Sequence, residues 1–322
     1  MAGSIGLNLE PISRQMRLVE EQIMRSVGST SSVLRDVAIY VLSAGGKRIR
    51  PAMGISAYIA IGGKEPDSMI PLAAAVEMIH TSTLLHDDII DGSEMRRGRP
   101  TAHRKYGLQA AIVTGDFLFS QAFGLCARYG PEAIGITSEA CRELAEAEML
   151  QATPWEKITE ELSINIAGSK TGSLMAAGME VGAVMAGASP DERARLKRYG
   201  YSVGTAFQMI DDCLDFSPAG TTGKPSGVDI FNGKATLPVV HALAHSGEME
   251  RKLIEGFLSS SADRGALGEL VKLLERTGSI EYARARARDF SNAAREELRP
   301  LRSSSCKSIL LDISQFVLQR TS

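Results

Sequence analysis

Two acidic turns carry the sharpest chemistry in this chain. In LLHDDIIDGSEMRRGRP, Asp87 and Asp91 stand four residues apart, so on a helix their carboxylates share one face, about 6 Å apart along the axis. Asp88 sits roughly 100° around from Asp87. FQMIDDCLDF repeats the pattern with Asp211, Asp212 and Asp215. Apolar neighbours (Leu84, Leu85, Ile89 and Ile90 at the first turn) imply partial burial, where like charges repel, lose hydration and need cations. At the first turn, oxygen donors with no His or Cys inside DDIID suit Mg²⁺, which joins one or two carboxylates to substrate phosphates. One such turn alone reads more readily as a solvated acidic turn. Two of them, flanked alike, call for several divalent ions and a polyanion, and diphosphate meets that need.

Basic residues lie close by. Lys47, Arg48 and Arg50 precede Pro51 in GGKRIRP, Arg96 and Arg97 follow the first acidic turn, and Lys224 and Lys234 fall in a Gly/Pro-rich segment. Arginine suits planar recognition of phosphate oxygens and lysine supplies a flexible point charge. Singly each reads as a surface charge; beside glycine turns and aspartates they read as anion ligands. The chain has no Walker-type phosphate loop, no Gly-x-Gly-x-x-Gly, no Gly-x-Ser-x-Gly and no EF-hand spacing, which sets aside those chemistries.

The elements that must position these groups read as helices. PLAAAVEMIHTSTLLHDDIID, FLFSQAFGLCARY, ITSEACRELAEAEML and RLKRYGYSVGTAFQMIDDCLDF carry apolar residues at three- and four-residue steps. Pro51, Pro131, Pro190 and Pro238 stand where helices begin. No alternating strands bounded by hairpin turns stand out. The expectation is an all-α bundle in a single domain over 1–322. Residues 217–238 (SPAGTTGKPSGVDIFNGKATLP) read as a long loop, which composition alone allows to be a solvated connector or a lid.

At 322 residues with 23% charged side chains and a formal net charge of -2, the chain is sized for a sizeable core and lacks the basic excess of a generic nucleic-acid binder. Cys126, Cys141, Cys213 and Cys306 form no CxxC and read as reduced thiols of a cytoplasmic protein. The first twenty residues lack a signal-peptide pattern, and no uncharged apolar run is long enough to cross a bilayer.

Six blocks, GGKRIRP, HTSTLLHDDIIDGSEMRRGRPTAH, GDFLF, KTGSL, GTAFQMIDDCLDF and GKPSGVD-to-GKATLP, resemble those of the trans-type isoprenyl (polyprenyl) diphosphate synthases, in the family's order. The resemblance implies a single helical bundle around a deep central cavity, a homodimer, and head-to-tail condensation of isopentenyl diphosphate with an allylic diphosphate. It implies that Asp87, Asp88, Asp91, Asp211, Asp212 and Asp215 hold Mg²⁺, three ions per active site when substrate is bound. It also implies that Arg96, Lys170, Thr171, Gln208, Lys224 and Lys234 grip the allylic diphosphate, Lys170 and Lys234 counting among the catalytic groups. Lys47, Arg50, His80 and Arg97 would hold isopentenyl diphosphate, although His80 on its apolar helix would otherwise read as a core histidine.

In the family the positions just before the first acidic turn floor the elongation cavity. Here they are Ser82 and Thr83, whose small side chains imply products longer than farnesyl, in the geranylgeranyl to octaprenyl range. Two rival readings remain: a class I terpene cyclase, and a non-catalytic subunit of a heteromeric synthase. The GGKRIRP block and the Arg96–Arg97 pair speak against the first, and six intact aspartates against the second.

Overall fold

Helix starts follow the prolines. Pro131 and Pro190 open their helices, Pro238 is the second residue of its own and Pro51 the third, all within the first turn, where the missing N–H costs no hydrogen bond. The structure, a computed structural model, describes residues 7–217, 226–259 and 261–320.

In chain order the elements are α1 (Ser13–Ser26), α2 (Ser32–Leu42), α3 (Ile49–Ile61), α4 (Ile70–Ile90), β1 (Met95–Arg96), β2 (Arg99–Pro100), α5 (Ala102–Tyr106), α6 (Leu108–Cys126) and α7 (Pro131–Gln151). There follow α8 (Glu160–Ala167), α9 (Ser173–Met185), α10 (Pro190–Leu214), α11 (Val228–Phe231), α12 (Leu237–His245), α13 (Glu248–Leu258), α14 (Leu267–Arg276), α15 (Ser279–Glu297) and α16 (Ser305–Phe316). The fold is all-α, as expected. The one departure among the described residues is the hairpin, in which Arg96 pairs with Arg99 across Arg97 (φ 51°) and Gly98 (φ 73°). Positive φ at both central residues marks a type I′ turn; strands of two residues are too short to show alternation in the sequence.

The chain divides into two compact units. In the first (Met1–Cys141, Leu174–Gly200, Glu297–Ile313), α4 is the core helix, packed by α1, α3 and α6. It is apolar nearly all round and buried accordingly. Helices α3 and α9 meet backbone to backbone, since a Cβ on Gly182 would lie 2.5 Å from Gly54 O. The second unit (Arg142–Ser173, Tyr201–Glu296, Ser314–Ser322) centres on Phe216, Ile230, Val239, Ile254, Phe257 and Leu270. Between α8 and α9 the helix widens into a π turn, Gly168–Gly172, a feature often found at functional sites. Gly204 of α10 lies so close that a Cβ there would sit 2.4 Å from Gly172 Cα.

All four cysteines are free thiols. On membranes the sequence expectation needs refinement. The segments Pro66–Ile90 and Leu108–Tyr129 are long and apolar enough to span a bilayer when one or two charges are tolerated. The first is 78% buried inside the protein, as a core helix must be, but the second only 39%.

Candidate functional site

The first acidic turn closes α4. Asp91 caps the helix and donates its N–H to Asp87 O (2.8 Å), and Gly92 (φ 60°) turns the chain into the hairpin. That return brings Arg96 Nε within 2.6 Å of the buried Asp88 Oδ1. Arg96 therefore pairs with the acidic turn itself.

Beside this turn, and wholly within the first unit, lies a pocket whose lining includes Arg48, Glu77, His80, Asp88, Arg96 and Arg97. His80 is held neutral. Burial first, then Arg50, Arg97, Arg96 and Arg48 in turn, push its pKa well below the usual 6.5. Arg48 forms ion pairs with Glu20 (2.6 Å) and Glu77 (2.8 Å). Lys47 and Arg50 flank it on the turn into α3, outside the pocket lining, with Arg50 reaching His80 through its charge.

The second acidic turn closes α10. Asp211 Oδ1 accepts a 2.5 Å hydrogen bond from Arg320 Nη1. Asp212, buried, accepts one from Gln208 Nε2 (3.0 Å), and its pKa is raised well above the usual carboxylate value by burial first and by Asp229, Asp211 and Asp215 after it. Asp215 spends both oxygens on backbone, accepting from Val228 N and Asp229 N at 3.0 Å each, so it caps α11. Asp88, Asp211, Asp212 and Asp215 thus have different surroundings, which a repeated DDxxD does not reveal.

A second pocket, wholly within the second unit, brings together Lys170, Gln208, Asp212 and Lys234 with Gln151 and Ser163. The π turn presents Lys170 and Thr171. Lys170 Nζ donates to Gln151 Oε1 (2.8 Å) and lies 2.5 Å from Glu148 Oε2. Thr171 Oγ1 donates to Gln208 Oε1 (2.6 Å), which makes a hydrogen-bonded chain from Thr171 through Gln208 to Asp212. Lys234 Nζ lies 3.7 Å from Asp229 Oδ1. Lys224 lies outside the described residues, as does most of the stretch read as a loop up to residue 225.

The two chain-length candidates face protein. Ser82, fully buried, donates to Gly115 O on α6 (2.8 Å), and Thr83 donates to His80 O (2.8 Å). Glu77, Glu148, Gln151, Asp229 and Arg320 were missed from the sequence. Asp229 and Lys234 share the stretch VDIFNGK, so that pairing had a local signal; Arg320 had none.

Among the described residues, no three His, Cys, Asp or Glu side chains gather closely enough to hold a metal ion alone. Each acidic turn nevertheless supplies three carboxylates. Among the described residues no cation is paired with the buried Asp212, and Asp211 already holds one in the Arg320 guanidinium. Such a donor set fits a hard divalent ion completed by phosphate oxygens.

Comparison with known proteins agrees with this chemistry. A polyprenyl synthetase family model matches residues 31–274. A short chain isoprenyl diphosphate synthase of Methanothermobacter thermautotrophicus is 38% identical over 97% of this chain and 98% of its own length. The octaprenyl diphosphate synthase of Escherichia coli is 34% identical over 98% and 99%. Among solved structures, a polyprenyl synthase from Caulobacter crescentus, complexed with calcium and isoprenyl diphosphate, matches with a TM-score of 0.95 at 33% identity, covering 100% of both chains. On that footing the chain belongs to the polyprenyl synthetase family, the trans-isoprenyl diphosphate synthases, and its reaction is trans prenyl chain elongation.

Proposed function

We propose that the chain adds isopentenyl diphosphate head-to-tail to an allylic diphosphate, with Mg²⁺ held by the aspartates of both acidic turns, three ions per site. The observation that carries this reading is the positive field at His80. Burial first, and then four arginines, hold its imidazole neutral, while Glu20, Glu77 and Asp88 are taken up by Arg48 and Arg96. A pocket of that sign suits an anion of its own, beyond the diphosphate served by metal ions. A terpene cyclase, with one diphosphate substrate, has no use for it.

Bound Mg²⁺ supplies electrostatic stabilisation of the departing diphosphate. Arg96, Lys170, Lys224 and Lys234 add positive charge for the same allylic group, and Thr171 orients Gln208 through their 2.6 Å hydrogen bond. Lys47, Arg50 and Arg97, with neutral His80 as a hydrogen-bond donor, hold isopentenyl diphosphate. The allylic C–O bond breaks with its electron pair leaving on diphosphate. The double bond of isopentenyl diphosphate attacks the allylic cation, and a proton passes to the released diphosphate. Water must be excluded while the cation lives, and the 217–238 segment is our candidate gate.

Two further assignments rest on shape. The relatives above are a short-chain and an octaprenyl synthase, and the small Ser82 and Thr83 favour products longer than farnesyl. The exposed apolar face of α6, with Leu108, Ile112 and Val113, favours a homodimer in which a second copy covers it. The purified chain, incubated with Mg²⁺, isopentenyl diphosphate and a series of allylic primers, should yield dephosphorylated alcohols longer than farnesol only when both substrates are present. Product from the allylic substrate alone would favour the cyclase. No product from the single chain would favour a subunit role.

A further inference from the structure

The turn before α3 is held in a conformation that its own residues do not favour. Gly45 (φ 80°) and Gly46 (φ 155°) lead into Arg48, which is left-handed at φ 48°, ψ 41°, a region that a side chain with a Cβ rarely adopts. No side chain caps the helix at this point. What holds Arg48 is its guanidinium. Nε and Nη2 donate to the two oxygens of Glu20 (2.6 and 3.3 Å), Nη1 to Glu77 (2.8 Å), and Nη2 also to Leu42 O (2.9 Å). Arg48 thereby ties the turn to α1, to α4 and to the end of α2. With its fork committed to protein acceptors, it is not placed to be a substrate ligand, although it is the second cation of GGKRIRP.

We propose that Glu77 is a positioning residue for isopentenyl diphosphate: through Arg48, and with Glu20, it sets the backbone of the 45–50 turn and so the directions of Lys47 and Arg50. The proposal rests on the reading of that turn as the isopentenyl diphosphate site. Three relationships support it. The Glu77 side chain is 5% exposed, and removing one partner of a buried ion pair leaves the other charge uncompensated, so the placement of Arg48 depends on Glu77. Glu77 precedes His80 by three residues on α4, so one helix face carries both the anchor of the turn and the pocket's imidazole. A Cβ on Gly46 would lie 3.2 Å from Arg97 Nη1, so the turn also backs the guanidinium of a second candidate ligand. Displacing Arg48 would disturb Lys47, Arg50 and Arg97 together and leave the second unit's Lys170 and Lys234 alone.

The test compares Glu77→Gln with the double variant Arg48→Met/Glu77→Leu, which removes both buried charges together and leaves only the half-exposed Glu20 without its partner. Steady-state constants for isopentenyl diphosphate and for the allylic primer are measured beside Tm. The expected result is a KM for isopentenyl diphosphate raised roughly 10- to 100-fold in both variants, with the primer KM changed less than about twofold and Tm retained in the double variant. A double variant with native Tm and native KM for isopentenyl diphosphate overturns the proposal, and so does an equal rise in both KM values. Lys47→Ala and Arg50→Ala, measured alongside, separate the two levels. If neither changes the KM for isopentenyl diphosphate, the site assignment falls and the proposal with it. If they raise it while the double variant does not, only the positioning role falls.

Discussion

Arg320 sets its guanidinium on Asp211, with Nη1 2.5 Å from Oδ1, while the same group lies 4.0 Å above the Phe207 ring. A cation thus rests on a carboxylate proposed to hold Mg²⁺, and the two must compete. Arg320→Gln should tighten Mg²⁺ binding in the absence of substrate by roughly 1.4- to 5-fold, the size expected when a partly exposed pair worth about 0.2–1 kcal/mol is removed. Calorimetric titration with Mg²⁺, or Mn²⁺ followed by electron paramagnetic resonance, would read this. Unchanged or weaker binding would show that Arg320 does not oppose the metal.

Burial of His80, with the arginines around it, gives a pH dependence of defined sign. The unfolded chain takes up this proton near pH 6.5, the folded chain only well below it. Stability from the neutral imidazole is therefore full above about pH 6.5 and is lost as the pH falls from there towards the folded value. His80→Gln should flatten that part of the curve of stability against pH, followed by denaturant unfolding between pH 7.5 and 5. His241, also held below 6.5, would keep a residual slope of the same sign. An unaltered curve would mean that His80 does not carry the effect.

What was legible in the sequence follows from range of interaction. Asp87 and Asp91, or Asp211 and Asp215, announce themselves because a four-residue step on a helix is local geometry. The division of labour among them is not local. Asp215 caps α11 across the chain's return, and Asp211 meets Arg320 from the far end of the chain. Glu77 hides for another reason: a single carboxylate inside AAAVEMIH reads as helix filler until its burial and its partner Arg48 are known. The π turn is invisible because Gly-Ser-Lys-Thr-Gly suggests a break, whereas tertiary packing against Gly204 keeps the segment helical. The hairpin was missed because Arg-Gly stands where Asn-Gly would have advertised a type I′ turn.

That packing makes Gly204 a sensitive position. An added methyl would sit 2.4 Å from Gly172 Cα and 2.8 Å from its nitrogen, so backbone must yield. Gly204→Ala should destabilise the protein by about 1–3 kcal/mol and lower kcat, since the π turn carries Lys170 and Thr171. Gly135→Ala, in α7 with nothing within 4 Å of the new methyl, should instead be neutral or stabilising by about 0.5–1 kcal/mol. Chemical denaturation of the two variants side by side gives the comparison; equal effects would remove the case for a tight contact at the π turn.

The apolar face of α6 predicts self-association. Val113 is 44% exposed and Leu108 54%, an arrangement that leaves apolar area in water unless another surface covers it. Val113→Lys should shift the protein from dimer to monomer in sedimentation or light scattering at micromolar concentration, with its circular dichroism preserved. A variant that remains dimeric would place the interface elsewhere.

Ser82 gives a test of product length with a built-in control. Its hydroxyl donates to Gly115 O in a fully buried contact between α4 and α6, so Ser82→Ala removes that hydrogen bond and should cost about 0.5–1.5 kcal/mol of stability. The methyl adds no bulk, and the product distribution should stay as it was. Ser82→Phe must both overpack the α4–α6 contact and extend a ring beyond it. It should lose a similar amount of stability and also shift the products to shorter chains, as seen by sizing the dephosphorylated alcohols. If the two variants lose stability alike and make the same products, Ser82 serves helix packing alone, and the floor of the elongation path must be sought at other residues.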